Sequence, residues 1–388
     1  MRDIDFIDSF VKMIRDVFST DKFIPLHAPR FEGREREFVL ETLDSTFVSS
    51  IGGFVDDFEN QLARYTGAGF VVAMSSGTAA LHTALHVLGV QLKDEVITTP
   101  LTFVATCNAI SYCGAHPIFV DVDRDSLGLC PRSLAEFLDE HTEIRDDGLC
   151  WNRFSGKVIR ACVPVHNLGH PAMIKEISSI CADYKIPIVE DAAESLGSWN
   201  NRMHTGRCGL MGTLSFNGNK IITTGGGGAL ITDDETLAQR VKHISTTAKQ
   251  SHPWLFNHDE VGFNYRLPNL NAALGCAQME QLDRLILEKR QLAAYYREWF
   301  QDWRQATFVA EPANCHSNYW LNAILLQDRT ARDNYLKRTN NHGVMTRPMW
   351  TPMHTLPMYR NCQRTELHNA ESIEDRLVNI PSSAVAVK

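Results

Sequence analysis

Short apolar runs alternate with helical stretches through the middle of the chain. Seven runs are rich in β-branched residues and have little polar interruption, which is typical of strands covered by helices on both faces. Helical candidates between them include residues 79–89 and 173–185. The pattern predicts an α/β protein with a doubly wound, mostly parallel sheet of about seven strands over roughly residues 66–233. The seven runs are residues 71–75, 95–99, 116–123, 158–166, 186–193, 213–217 and 228–233.

The first eighteen residues have the spacing of an amphipathic helix. Apolar residues recur every three or four positions, and three aspartates lie near the end where the helix dipole is positive. Packing of this stripe on the rest of the chain or on a second copy explains it better than a membrane does. The stripe consists of Ile4, Ile7, Phe10, Val11, Ile14, Val17 and Phe18, and the acids are Asp3, Asp5 and Asp8.

The character of the chain changes after about residue 255. Residues 268–304 have the composition of one long helix, and a mixed stretch follows in which residues 321–326 are a strand candidate. No internal repeat or low-complexity linker marks the change. We predict an N-terminal helix extension over residues 1–23, a large domain over 24–255 and a smaller C-terminal α+β domain over 256–388.

Composition narrows the class of protein. Of 388 residues, 44% are hydrophobic and 22% are charged, which is typical of a globular protein. The net charge of −8 and the lack of any Lys/Arg block argue against nucleic acid and anionic membranes as partners. No apolar run reaches the ~18 residues of a membrane span, and acids interrupt the first apolar stretch, unlike in a signal peptide. The ten scattered cysteines form no CxxC pair, so we expect reduced thiols and a cytoplasmic protein.

Small residues follow the first predicted strand, at the start of a helix. In open α/β sheets, ligands bind at the carboxyl ends of the strands. The segment Ser75–Leu81 leaves helix N–H groups accessible to an anion such as phosphate, although a plain Ser/Thr helix cap explains the same residues equally well. The sequence has no GxxxxGK[ST] and no well-placed GxGxxG, which removes the usual support for ATP or NAD.

Three further strand ends carry candidate chemistry. Asp191 could aim a carboxylate at a protonated ring nitrogen, or it could cap the next helix. Phe103 could stack on a planar ring, although a buried core position is the commoner fate of an aromatic residue. Most lysines are solvated, but Lys220 follows an apolar strand with Ser215 and Asn217 beside it, and a partly desolvated lysine can form a Schiff base with an aldehyde.

Two further features complete the set of candidates. The glycines at residues 225–228 are either a flexible turn or a place where the backbone approaches a bulky ligand. His82 and His86 are one helical turn apart, but without a third ligand we predict no metal site. Taken together, the strand ends supply a phosphate cradle, a stacking ring, an acid and a lysine, which is the set that pyridoxal 5′-phosphate (PLP) requires.

Six ordered motifs resemble the DegT/DnrJ/EryC1/StrS family of sugar-nucleotide aminotransferases. The resemblance runs from about Ile24 to the end of the chain. It implies the aspartate-aminotransferase type I fold, PLP as the cofactor and a homodimer with shared active sites. The motifs are SSGTAALHTAL, PLTFVATCNAI, PIFVDVD, VEDAAESLGS, GTLSFNGNKIITTGGGGALIT and GFNYRLPNLNAALG.

The resemblance assigns a role to each matching residue. It implies that Lys220 forms the Schiff base with the cofactor, that Asp191 pairs with the pyridine nitrogen and that Phe103 stacks on the ring. Glu194 matches a position near the ring hydroxyl where relatives often carry Gln or His. The remaining cofactor contacts would be Gly77, Thr78, Ala79, Ser215 and Asn217 from the same chain, with Asn264 and Arg266 from the partner subunit.

The implied reaction moves an amino group from L-glutamate to the 4-keto group of a nucleotide-linked 4-keto-6-deoxy sugar. The segment around Lys220 favours a UDP-linked N-acetylhexosamine, as on a route to bacillosamine or legionaminic acid. GDP-4-keto-6-deoxymannose, which gives perosamine, is the alternative, and a 3-keto sugar comes third. A dehydratase or a non-catalytic PLP-binding regulator on the same fold remains open, although the dehydratases of the family carry histidine where this chain has Lys220.

Overall fold

The computed structural model describes residues 5–387. These residues form twelve α-helices, two short 3₁₀ turns and sixteen strands. The helices are α1 (Phe6–Phe18), α2 (Glu35–Ser45), α3 (Gly53–Thr66), α4 (Gly77–Val87), α5 (Val104–Tyr112), α6 (Pro131–His141), α7 (Ile174–Asp183), α8 (Glu235–Ser245), α9 (Asn269–Met279), α10 (Leu282–Gln301), α11 (Arg329–Asn341) and α12 (His368–Arg376). The strands are β1 (Phe70–Met74), β2 (Glu95–Thr98), β3 (His116–Phe119), β4 (Thr142–Ile144), β5 (Cys150–Asn152), β6 (Ile159–Val163), β7 (Val189–Asp191), β8 (Trp199–Asn200), β9 (Met203–His204), β10 (Met211–Ser215), β11 (Gly228–Thr232), β12 (Ala306–Phe308), β13 (Cys315–His316), β14 (Asn322–Leu326), β15 (Arg347–Pro348) and β16 (Leu377–Ile380).

The seven predicted apolar runs all become strands of the central sheet. Their order is β3-β2-β6-β7-β10-β11-β1, where single parallel bridges from Cys162 to Ile188 and from Val165 to Asp191 join the β6 and β7 ladders. Neighbouring strands are parallel except at β11, which runs antiparallel to both β10 and β1. The prediction of a mostly parallel sheet of seven strands is therefore confirmed.

Helices cover both faces of this sheet, as the unbroken apolar runs predict. Along β1, Val71 and Ala73 belong to a hydrophobic cluster with α3 and α9. Val72, one residue along, belongs to the opposite cluster with α4, α5 and α8. Because side chains alternate along a strand, both faces of β1 are buried, and the strand ends are left as the accessible edge of the sheet.

The predicted N-terminal helix packs on the smaller antiparallel sheet of its own chain, whose order is β12-β14-β16-β15. Its apolar stripe, represented by the fully buried Phe10 and Ile14, joins a cluster with α10, α11 and β14. Asp5 caps the helix by accepting from the backbone N–H groups of Ile7 and Asp8. Asp3 and Ile4, which the sequence pattern also assigns to this helix, lie outside the described residues.

The single long helix predicted over residues 268–304 is wrong, because the segment forms two helices, α9 and α10. The break lies at Glu280 and Gln281. Side-chain amides near it bond a buried carboxylate instead of facing solvent: Gln278 Nε2 donates to Glu35 Oε1 at 2.7 Å, and Gln281 Nε2 donates to the same oxygen. At the break the N–H of Gln281 bonds the carbonyl of Gln278 at 3.1 Å, a three-residue turn that ends α9 where these side chains contact α2.

Helix α10 contributes to two hydrophobic clusters. Its first part, including Leu285, packs with α3 and α9 against the central sheet. Its second part, including Leu292 and Tyr296, packs with α1 and the smaller sheet. The domain division expected near residue 255 stays a prediction. Among the described residues, no helix is both long and apolar enough to cross a membrane.

Candidate active site

A cavity of about 320 Å³ opens at the carboxyl edge of the central sheet. Its volume lies within the ~300–1,000 Å³ that small-molecule and cofactor sites occupy. The strands end here together because β1, β2, β7 and β10 run in the same direction. Eight predicted site residues line this cavity: Gly77, Thr78, Phe103, Asp191, Glu194, Ser215, Asn217 and Lys220.

The N-terminus of α4 forms one wall of the cavity. Ser76 caps the helix, since its Oγ accepts from the N–H of Ala79 at 3.0 Å. The predicted helix cap therefore exists, and Ala79 belongs to it rather than to the cavity lining. The N–H groups of Gly77 and Thr78 have no acceptor within the helix, as at any helix start, and both residues line the cavity. An anion can bind there.

Glycine is required at Gly77 by a close approach of two chain segments. A Cβ at Gly77 would lie 2.9 Å from the Cβ of Ser215 on β10. A Cβ at Gly228, on β11, would overlap the backbone of Ser76 and Gly77. The helix start and the two strands therefore meet without intervening side chains, which keeps the backbone donors of α4 accessible from the cavity.

Asp191 is a fixed carboxylate at the end of β7. Its Oδ2 accepts a hydrogen bond of 2.8 Å from Thr106 Oγ1, and its Oδ1 accepts one of 3.2 Å from the N–H of Ala193. Thr106 is in turn bonded to Thr102 at 2.8 Å between hydroxyl oxygens. The bond to Ala193 is the local turn contact that a capping role would give. The bond from Thr106 on α5 has no such local origin, and it orients the carboxylate at the cavity.

Lys220 is enclosed, unlike a typical surface lysine. Its side chain is 12% exposed, and its Nζ lies 3.5 Å from Glu194 Oε1. The Nζ also lies 3.9 Å from the centroid of the Trp320 ring. Glu194 is itself held by the N–H of Leu168, which donates to its Oε2 at 2.8 Å. Burial raises the pKa of Glu194, an effect that the charge of Lys220 opposes.

Phe103 projects into the open cavity instead of the core. Its side chain is 52% exposed, so the alternative of a buried core aromatic is wrong. Its ring makes an edge-to-face contact with Trp350, with ring centroids 5.6 Å apart. The Nε1 of Trp350 is buried and has no hydrogen-bond partner among the described residues. The face of Phe103 is thus available to a planar group.

Two predicted residues lie away from this cavity. Asn264 is exposed and forms a backbone bridge with Thr246. Arg266 is buried, and its Nη2 donates to Glu59 Oε1 at 2.8 Å within the same chain. The side chain of Asn264 is thus exposed, whereas that of Arg266 is engaged by Glu59. The role of both toward a partner's site stays a prediction.

His82, considered above as half of a metal-binding pair, is a buried packing residue. Its ring lies against Phe263, with centroids 4.7 Å apart. Burial lowers the pKa of His82 to about 4, with a smaller contribution from the charge of His86.

Sequence reasoning missed several residues of the site. Thr106 lies in the motif PLTFVATCNAI and is the third residue of α5. Its position shortly after the end of β2 is the sequence signal that could have identified it. Trp320, Trp350 and Asn219 also line the cavity. The two tryptophans come from the last part of the chain, where no motif pointed to the site.

Comparison with known proteins agrees with this geometry. The model of the DegT/DnrJ/EryC1/StrS aminotransferase family matches residues 29–386. The chain belongs to this family. It is 35% identical over 362 residues to the GDP-perosamine synthase of Escherichia coli O157:H7, covering 93% of each chain. It is 32% identical over 365 residues to the GDP-perosamine synthase of Vibrio cholerae, covering 92% of this chain and 94% of that one.

A solved structure gives the same result for the fold. The aminotransferase TlmJ from Streptoalloteichus hindustanus superposes with a TM-score of 0.84 at 27% sequence identity, covering 93% of each chain. The expected α/β fold of PLP-dependent aminotransferases is confirmed. This family member is an aminotransferase, and PLP is its cofactor.

The residues of the cavity fit that cofactor. The glycine-lined start of α4 leaves room and donors for its phosphate, and the exposed face of Phe103 suits its planar ring. Asp191 offers a fixed carboxylate for a ring nitrogen, and Lys220 offers a desolvated amine for the aldehyde.

Proposed function

We propose that this protein transfers an amino group from L-glutamate to the 4-keto carbon of GDP-4-keto-6-deoxymannose, which gives GDP-perosamine. The observation that carries the proposal is the similarity to GDP-perosamine synthases along nearly the whole of both chains. The UDP-linked N-acetylhexosamine favoured by the sequence motifs has less support, because the two relatives compared above are named for a GDP-linked product. It is the second candidate.

We assign the proton chemistry to Lys220 and Asp191. PLP, when bound, would supply the electron sink that makes the Cα–H of the amino acid acidic. Lys220 Nζ takes the proton from Cα of glutamate and later returns a proton to the carbon that was the sugar's keto carbon. Asp191, oriented by Thr106, holds the proton on the ring nitrogen. We assign to Glu194, whose Oε1 lies 3.5 Å from Lys220 Nζ, the contact with the ring hydroxyl that the family resemblance implies.

We assign phosphate binding to the start of α4 and its neighbours. The N–H groups of Gly77 and Thr78 supply uncapped helix donors, with Ala79 closing the first turn. Ser215 and Asn217 add polar groups from the end of β10 and the loop after it. None of these side chains carries a positive charge, so a cationic or amide donor that would strengthen the hold on a phosphate dianion is missing from this set.

We infer that a second copy of the chain completes each site. Asn264 is exposed and lies on the segment expected to cross to the partner, so it is the first candidate for the missing donor, with Arg266 second. The protein would then be a homodimer with two shared sites. We also infer a cytoplasmic location, because all ten cysteines are free in the structure, as in a reducing compartment.

The substrate assignment can be tested by incubating the PLP-loaded protein with L-glutamate and one keto sugar at a time. GDP-4-keto-6-deoxymannose, a UDP-linked 4-keto-6-deoxy-N-acetylhexosamine and a dTDP-linked 4-keto-6-deoxy sugar are compared by the mass of the product, with Lys220→Ala as the control. We expect amination of the GDP sugar well above that of the others. Amination of the UDP sugar alone would favour the second candidate, and a deoxygenated product without nitrogen would indicate a dehydratase.

A further inference from the structure

Trp320 contacts the Lys220 segment in two ways. The face of its ring lies 3.9 Å from Lys220 Nζ, measured to the ring centroid. Its indole Nε1–H donates a hydrogen bond of 2.6 Å to the backbone carbonyl of Asn219, the residue before Lys220. One buried side chain therefore fixes both the amine of the lysine and the backbone from which the lysine projects.

The backbone of Trp320 is itself fixed by hydrogen bonds from neighbouring segments. Trp320 is 1% exposed and lies two residues before β14 of the smaller sheet. Its N–H donates to Asn318 Oδ1 at 2.7 Å, and its carbonyl accepts from Lys289 Nζ at 3.1 Å. Lys289 also donates to the carbonyl of Ser382, so it ties the segment before β14 to the segment after β16. The indole is thus a rigid connection between the smaller sheet and the Lys220 loop.

Lys220 is largely buried, so few groups are available to hold its amine, and the contact with Trp320 is one of them. An ammonium that is largely removed from water needs compensating partners. Glu194, at 3.5 Å, is one such partner, and the face of Trp320 is the other. Tryptophan is the aromatic residue whose face attracts a cation most strongly. Removing the ring would leave the amine less firmly held.

We propose that Trp320 is a positioning residue that holds the amine of Lys220 in place. The proposal rests on the proposed function only in taking Lys220 as the lysine that binds the cofactor. It does not depend on the identity of the sugar. Trp320 acts through Lys220 and the carbonyl of Asn219, and Lys289 acts one step further back through Trp320.

The first test uses the cofactor-free protein and the rate at which Lys220 is acetylated by an N-hydroxysuccinimide ester at fixed pH. Peptide mass spectrometry reads the rate, with an exposed lysine as the internal standard. The variants are W320M, which fills space without an aromatic face, and W320F, which keeps a face. W350L is the matched control, because Trp350 lines the same cavity. We expect W320M to raise the rate at least threefold, with W320F and W350L within twofold of wild type.

Two results of this labelling experiment would overturn the proposal. If W320M is acetylated at the wild-type rate, the ring does not hold the amine. If W350L accelerates acetylation as much as W320M, access to the cavity sets the rate and the contact with Trp320 does not. Should W320M fail to fold, the reverse pair K220M and K220R is compared by tryptophan fluorescence. Emission should change in K220M, where no cation faces the indole, and the change should vanish in a W320F background. Equal emission from K220M and K220R contradicts the contact.

The second test uses the PLP-loaded protein with glutamate alone. This half-reaction needs no sugar, so a wrong sugar assignment cannot affect it. We expect W320M to slow the single-turnover rate at least tenfold while the glutamate concentration for half-maximal rate stays within threefold, and W320F to recover most of the rate. A wild-type rate in folded W320M overturns the proposal. Failure of wild-type protein to aminate any keto sugar would count against the proposed function alone.

Discussion

Thr106 and Asp191 are joined by a 2.8 Å hydrogen bond between Oγ1 and Oδ2, across 85 residues of sequence. We predict that Thr106→Val slows the glutamate half-reaction about 10- to 100-fold, because a hydrogen bond to a charged group contributes about 1.5–3 kcal/mol. Thr106→Ser keeps the hydroxyl and should stay close to wild type. Single-turnover rates of both variants check this. Equal rates for Val and Ser would mean that the bond does not orient Asp191.

Asp191→Asn should damage chemistry more than cofactor binding. An amide cannot stabilise a protonated ring nitrogen as a carboxylate does, so exchange of the Cα proton of glutamate should slow by several orders of magnitude. Exchange is followed by NMR in deuterated buffer, and PLP binding by equilibrium dialysis. Unchanged exchange would reduce Asp191 to a helix cap bonded to Ala193.

A subunit-mixing experiment tests whether the active sites are shared. Lys220→Ala and Asn264→Asp should each be severely impaired as homodimers, the second because a carboxylate would repel a phosphate dianion. Mixed after unfolding, they should give about half heterodimers, each with one intact and one doubly damaged site, and recover roughly a quarter of wild-type activity under two-fold symmetry.

A second mixture serves as the control for this experiment, and one outcome would contradict the prediction of shared sites. Arg266→Ala replaces Asn264→Asp in a parallel mixture, and its ion pair with Glu59 leads us to expect loss of stability rather than rescue. No recovery in the Asn264 mixture, with heterodimers confirmed by native mass spectrometry, would mean that Asn264 serves its own chain.

Lys289 should make stability depend on pH. Burial lowers the pKa of Lys289 to about 7 from the ordinary value of 10.5. Below pH 7 the lysine is protonated in both the folded and the unfolded chain. Between about 7 and 10.5 unfolding takes up a proton, so the free energy of unfolding should rise with pH by up to about 1.4 kcal/mol per unit.

The comparison protein for this effect is Lys289→Met. Titrations of cysteine and tyrosine occur in both proteins and cancel in the difference. Burial and the charges of Lys289 and Lys220 lower the pKa of His27 well below its usual range, so His27 stays neutral in this window. Urea unfolding at pH 7.5 and 9 should show the difference in stability moving in favour of the wild type at the higher pH. A constant difference would contradict the low pKa.

The N-terminal helix should be a structural part of the chain. Phe10 is fully buried, with its ring 5.3 Å from that of Tyr335 and 6.0 Å from that of Phe300. Phe10→Ala should lower the free energy of unfolding by about 3–5 kcal/mol. Lys12→Ala, at an exposed position of the same helix, should change it by less than ~0.5 kcal/mol. Equal effects would mean that α1 is not anchored by its apolar stripe.

Much of the fold and of the site could be predicted because both follow from local rules. An unbroken apolar run marks a strand covered on both faces, and parallel strands bring their carboxyl ends to one edge of a sheet. Those two rules alone place Asp191, Lys220 and Phe103 near one another, and the structure brings them to one cavity.

The remainder depends on contacts between distant segments. Nothing near Trp320 in the sequence indicates that its ring would lie on Lys220, because the contact arises from the packing of the smaller sheet on the larger one. Gln281, at the break between α9 and α10, bonds Glu35 in α2, and Arg266 bonds Glu59 in α3. Helical periodicity and family motifs contain no information about such partners.

The antiparallel course of β11 has a consequence for how the site is assembled. Because Ser215 on β10 pairs directly with Gly228 on β11, Lys220 lies in a hairpin loop that closes through neighbouring residues. Hairpins form in about 1–10 μs, whereas contacts between remote segments wait for slower loop closure. We therefore expect the loop of Lys220 to close earlier in folding than the contact between Thr106 and Asp191, which are 85 residues apart.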